Sequence, residues 1–124
     1  MTTIESVGQI AIAAKDLDRA RAFYRDTLGL KHLFDAPPGL TFFQCGSIRL
    51  LVEVPADERF RHPASVLYYK VADIDAAHAD LVAKGVRVEG KPHLVAPMPD
   101  HDLWMAFYRD SEDNVFSLMC EKRK

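Results

Sequence analysis

The hydrophobic pattern switches between strand and helix periods in the same order twice. Val7 to Ala14 is an apolar run with Gln9 embedded in it, ended by Lys15 and Asp16, and it predicts a strand. Asp16 can cap a helix, and Leu17, Ala20, Tyr24 and Leu28 follow at helical spacing, with Phe23 widening the stripe. Gly29 supplies the stop. Leu30 to Asp35, Leu40 to Cys45 and Ile48 to Val54 then read as strands, broken by Pro37-Pro38-Gly39 and by Gly46.

The second half repeats strand, helix, strand, strand, strand. Val66 to Val71 is an apolar and aromatic strand, Asp73 is a cap, and Ile74, Ala77 and Leu81 form a helical stripe before Gly85. Leu17, Ala20 and Tyr24 recur as Ile74, Ala77 and Leu81 at one offset of 57 residues. Val86 to Val88 opens a strand that can continue past Gly90 towards Val95. Leu103 to Arg109 and Val115 to Cys120 are the last strands, joined by a turn at Asp110 to Asn114, with Glu121 to Lys124 as a solvated tail. Order, caps and stops agree, so the chain reads as a duplicated unit: modules at 5–54 and 64–122, with a polar, proline-bounded linker at 55–63.

Composition narrows the functional classes. A chain of 124 residues, 48% hydrophobic and 27% charged, has ordinary globular usage and room for one domain or two half-domains. A net charge of −2, with no basic run, gives no case for a nucleic-acid partner. No apolar run approaches the roughly 20 residues that span a bilayer, so no membrane partner is expected. Met1-Thr2-Thr3-Ile4-Glu5 lacks the regions of a signal peptide, which makes a cytoplasmic location the expectation. Cys45 and Cys120 have no CxxC spacing and read as reduced packing thiols. His32, His62, His78, His93 and His101 form no HxxxH or HExxH pair. They read as scattered surface or hydrogen-bonded histidines, with His78 exposed on its helix and His93 and His101 flanking a loop at Pro97-Met98-Pro99. No Ser-His-Asp motif and no glycine-rich phosphate loop is present.

Gln9, Ala14, Asp16-Leu17, Ala20, Phe23-Tyr24 and Leu28-Gly29-Leu30 together resemble the opening of the vicinal oxygen chelate superfamily. That superfamily holds glyoxalase I, bleomycin-resistance proteins, fosfomycin-resistance enzymes and extradiol dioxygenases. Val71-Ala72-Asp73-Ile74-Asp75 and Lys84-Gly85-Val86 repeat the resemblance, and Asp110-Ser111-Glu112-Asp113-Asn114 stands where the family usually has Asp-Pro-Asp-Gly-Asn. It implies an α+β fold of two tandem βαβββ modules, whose curved mixed sheets surround a cavity with the helices outside. It also implies a homodimer.

Metal-dependent members carry one ligand on the first and one on the last strand of each module. Carried over, these positions fall on Gln9, Arg49, Val66 and Ser117, with Arg49 and Ser117 both set by an apolar-X-Leu match. Gln9 offers a neutral carbonyl, Val66 nothing, Ser117 a weak hydroxyl, and Arg49 a permanent cation that repels a metal. Glu53 shares Arg49's face but stands about 13 Å along the strand. No metal and no other cofactor is therefore expected.

Strand alternation puts Gln9, Ala11 and Ala13 on one face and Ile10, Ile12 and Ala14 on the helix side. It groups Val66, Tyr68 and Lys70 likewise, with Arg49 and Glu53 in one phase and Ser117 and Met119 in another strand's matching phase. The phases of Phe42, Phe43, Phe107 and Tyr108 stay open. Gln9, Arg49, Tyr68, Trp104 and Ser117 are thus the candidate ligand contacts, mixing a cation, an amide, hydroxyls and aromatic walls. Arg49 suits a carboxylate or phosphate; the structural alternative is an ion pair with Glu53 or Glu121. The leading expectation is a metal-free small-molecule binder. One alternative is a metal-dependent lyase, isomerase or dioxygenase whose displaced site uses Glu53, His93 or His101 and Gln9. The other is a dimeric interaction module with no ligand.

Overall fold

Two aspartate caps and two glycine stops mark where the helices begin and end. The computed structural model describes residues 2–124, and the chain divides into two compact units between Ala64 and Ser65.

The first unit runs β1 (Gln9–Ala13), α1 (Leu17–Ala22), β2 (Lys31–Ala36), β3 (Leu40–Cys45) and β4 (Ile48–Glu53). Its sheet order is β1-β4-β3-β2, with β1 parallel to β4 and the other pairs antiparallel. Asp16 Oδ1 accepts the Arg19 N–H at 3.1 Å, closing the first turn of α1. Beyond Ala22 the helix widens into a π turn at Phe23–Thr27, where the Leu28 N–H donates to Phe23 O at 2.9 Å. A regular helical stripe through Leu28 does not anticipate this turn. It seats Tyr24, 1% exposed, against Phe43 with ring centroids 5.9 Å apart. Ile12, Leu50 and Val52 complete the buried layer.

The second unit repeats the plan with β5 (Leu67–Lys70), α2 (Ile74–Ala83), β6 (Arg87–Pro97), β7 (His101–Arg109) and β8 (Val115–Arg123), in sheet order β5-β8-β7-β6. Asp73 Oδ1 accepts the Ala76 N–H at 3.1 Å, as Asp16 does in α1. Gly29 and Gly85 end the helical segments at φ 74° and 80°, where a side chain would be strained. Ile74, Leu81, Tyr108, Phe116 and Leu118 fill the space between α2 and its sheet. Each unit is therefore a βαβββ module, and the fold class is α+β.

One local expectation is met and extended, and two change. β6 continues through Gly90 to Pro97, with irregular pairing to β7 at three places. Glu121, Lys122 and Arg123 are not a solvated tail, because they pair with Leu103, Asp102 and His101 and extend β8. The Lys122–Asp75 and Arg123–Asp100 ion pairs, both at 2.9 Å, hold that extension. His78 is half-buried rather than exposed, and its Nδ1 lies 2.7 Å from the Tyr108 hydroxyl. Burial pushes that hydroxyl's pKa up to about 12.

The β7–β8 turn rests on Asp110, which is 5% exposed. Its Oδ1 accepts the Glu112 and Asn114 N–H groups, both at 2.8 Å, and its Oδ2 accepts the Asn114 side-chain amide at 3.1 Å. Between 55 and 63, Asp57 caps a short 3₁₀ turn at Glu58–Phe60. No helix among the described residues is long and apolar enough to cross a membrane.

Candidate functional site

Strand pairing sorts the first sheet's face away from α1 into three rungs. Paired residues share a face, and alternate residues along a strand return to it. The first rung is Gln9, Arg49, Gln44 and Lys31; the second is Ala11, Leu51, Phe42 and Phe34; the third is Ala13, Glu53, Leu40 and Ala36. Ring contacts confirm the sorting. Phe34 stacks on Phe42 with centroids 4.5 Å apart, and Phe43 turns to Tyr24 on the helix side.

Gln9 and Arg49 are brought together as the sequence suggests. The Arg49 Nε–H donates to Gln9 Oε1 at 3.2 Å, and its guanidinium carbon lies 5.7 Å from the Phe42 ring centroid. Arg49 and Lys31 are exposed and Glu53 is half-buried, and none of the three takes part in an ion pair among the described residues. The Arg49–Glu53 pair is not formed, and Glu121 instead meets Lys70 Nζ at 3.6 Å. The rung positions of Lys31, Phe42 and Phe34 were not readable from alternation, because adjacent Phe42 and Phe43 fit either phase. The Gln9–Arg49 register is the signal that fixes them.

In the second unit Tyr68, Ser117, Phe107 and Gly90 form one rung, away from α2. Tyr68 packs edge-on to Phe107 at 6.0 Å, and His93 stacks on the same ring at 6.2 Å. Ser117 has no exposed surface, and its hydroxyl donates to the Ala106 carbonyl at 2.9 Å. Trp104 is a correction. It faces α2, where Lys122 Nζ stands 4.1 Å from its ring and 2.9 Å from Asp75, so it shares no face with Tyr68 or Ser117.

The pairing also corrects the equivalence of Arg49 and Ser117. Ala11 pairs with Leu51, and Tyr68, 57 residues after Ala11, pairs with Ser117. Leu51 is thus Ser117's counterpart, Val115 is Arg49's, and Met119 is Glu53's. A two-residue slip keeps the face and changes the rung, which the apolar-X-Leu match could not register.

Among the described residues, no group of three or more His, Cys, Asp or Glu is placed to share a metal ion. Gln9 and Glu53 lie two rungs apart, about 13 Å along β4. His93 Nδ1 meets Lys91 O at 2.8 Å, and His101 Nδ1 meets Asp100 Oδ1 at 2.7 Å. His101 lies in β7 and His93 in β6, so neither belongs to the loop between them.

A third cluster lies on the α1 side and was missed. His32 Nε2 is 2.8 Å from Asp35 Oδ1 and 3.1 Å from Thr41 Oγ1, and Arg21 Nε is 3.2 Å from the same carboxylate. Hydrogen bonding from Thr41 first, then from His32 and Arg21, holds Asp35 down to about 2. Thr41 has no exposed surface, so the cluster braces β2 and β3 against α1 and presents no reactive hydroxyl.

A family model, the Glyoxalase/Bleomycin resistance protein/Dioxygenase superfamily, matches residues 6–96. The chain belongs to this superfamily. A Bacillus subtilis (strain 168) relative, the uncharacterized protein YraH, is 29% identical over 128 residues, covering 89% of this chain and 94% of that protein. The crystal structure of lactoylglutathione lyase from Agrobacterium tumefaciens is similar at a TM-score of 0.75, with 25% identity and 94% of each chain covered. TnmS3, an antibiotic-binding protein from Streptomyces sp. CB03234, superposes at a TM-score of 0.74, with 22% identity and 100% of each chain covered. A lyase and a binding protein thus share this fold, and the superfamily alone does not choose between them.

Proposed function

We propose that this superfamily member is a metal-free binder of a small molecule with an apolar body and an anionic group. The observation that carries the reading is Arg49: a cation oriented by Gln9, resting on Phe42 and opposed by no carboxylate among the described residues. Its guanidinium keeps donors for a carboxylate or phosphate, and on the next rung Phe34 supplies exposed apolar surface beside the buried Leu51 and Phe42.

The superfamily's metal positions support the same reading. Gln9 Oε1 already accepts from Arg49, Val66 is an exposed apolar residue, and the Ser117 hydroxyl is given to a backbone carbonyl. Reassigning the second position to Leu51 removes a cation from the set and adds no donor. These residues do not fit a divalent cation, which needs several oxygen or nitrogen lone pairs.

The test is elemental analysis of protein purified from metal-rich medium, beside a thermal-shift titration with biphenyl-4-carboxylate. The proposal expects no stoichiometric metal after dialysis, and a ligand-dependent rise in Tm that Arg49→Glu abolishes. Stoichiometric nickel, zinc, manganese or iron would overturn it. The homodimer and the cytoplasmic location belong to the same proposal, and sedimentation analysis of the purified chain tests the first.

A further inference from the structure

Resting on the binding reading above, we infer that the ligand is dipolar: an anion at the Arg49 end, an aromatic or apolar middle, and a basic amine at Glu53. The three rungs are ordered that way along the face. Arg49 and Lys31 make the first rung cationic, the second is apolar, with Phe34 exposed and Leu51 and Phe42 buried beside it, and Glu53 is the charged residue of the third. The charged ends lie about 13 Å apart along β4, the span of a small rod-shaped molecule rather than of a direct ion pair.

The duplication supplies an internal control. The counterparts of Arg49 and Glu53 in the second sheet are Val115 and Met119, both apolar. The same ladder therefore forms without charge at either position, so neither charge is needed for the sheet. The arginines on the Val115 rung differ in a second way. Arg109 meets Glu89 at 2.9 Å, and Arg87 meets Asp113, so both are neutralised within their own unit. Arg49, Lys31 and Glu53 have no such partner among the described residues. An anion and a cation on one ligand would satisfy both ends of the face.

Three rigid probes separate the ends: biphenyl-4-carboxylate, biphenyl-4-methylamine and 4′-(aminomethyl)biphenyl-4-carboxylate. Calorimetric titration should show the zwitterion binding about tenfold more tightly than the carboxylate alone. Glu53→Gln should erase that advantage while leaving the carboxylate's affinity intact. Glu53→Met, which copies the second sheet's own residue, should do the same and guards against a folding artefact. Arg49→Gln should weaken both carboxylates and leave the methylamine unchanged. Equal affinities for the zwitterion and the carboxylate, untouched by Glu53→Gln, would overturn the dipolar ligand while leaving the Arg49 site standing. Failure of all three probes to bind would overturn both.

Discussion

Ser117 separates a structural hydroxyl from a ligand contact, and the two roles predict opposite results. Its side chain has no exposed surface, and its hydroxyl donates to Ala106 O at 2.9 Å and approaches Leu118 O at 3.2 Å. Ser117→Ala removes that donor and leaves carbonyls that β-ladder partners already serve. Losing one such bond costs about 1 kcal/mol. For a domain of this size that lowers Tm by about 3–5 °C. Ser117→Glu places a carboxylate where no solvent reaches. It should cost about 3 kcal/mol or more at neutral pH and recover in part as the carboxyl is protonated in acid. The assay is urea unfolding followed by tryptophan fluorescence, with biphenyl-4-carboxylate affinity measured on the folded Ser117→Ala variant. Unchanged stability together with lost affinity in that variant would refute the structural role.

Other expected outcomes follow from single contacts. Asp35 is held to about 2 against an ordinary 3.8, so its contribution is full above about pH 4 and is lost as pH falls through 2. Its side chain is 45% exposed, which discounts that contribution to about 1 kcal/mol or less, and Asp35→Asn should flatten the acid limb of the stability curve by that amount. Asp110→Ala leaves the Glu112 and Asn114 amides without their acceptor and should cost about 3 kcal/mol, with faster amide exchange at the β7–β8 turn. Tyr24→Ala empties a site that is 1% exposed beneath the π turn and should cost about 3–5 kcal/mol by denaturant midpoint. Trp104→Leu should leave biphenyl-4-carboxylate affinity unchanged, since the indole faces α2, and a loss of affinity would contradict that placement.

Much of the fold was legible because its signals are local. Asp16 and Asp73 cap where they were expected to, Gly29 and Gly85 stop the helical segments, and the Pro37-Pro38-Gly39 and Gly46 breaks separate the strands of the first module. The π turn was not legible, because the apolar stripe that marks a helix is the same whether Phe23–Thr27 winds as α or π. The end of β8 read as solvent-exposed because Glu121, Lys122 and Arg123 are charged; their places are set by pairing with β7 and by Asp75 and Asp100, which are distant in sequence. At the candidate site, Gln9 and Arg49 were singled out by the superfamily resemblance, and strand pairing puts them side by side. Trp104 was assigned without a register, and only pairing to Cys120 shows that it shares the helix face. The Arg49–Ser117 equivalence failed for the same reason, since a short motif match does not fix which rung a strand occupies.

Arg49 as a metal-independent anion anchor is tested most directly by one calorimetric titration of biphenyl-4-carboxylate into protein stripped of metal with EDTA, beside the same titration of Arg49→Glu. The expected result is saturable binding to the stripped wild type and none to the variant, whose melting temperature stays near the wild-type value. Binding that appears only after a divalent metal is restored, or that survives Arg49→Glu unchanged, would contradict it.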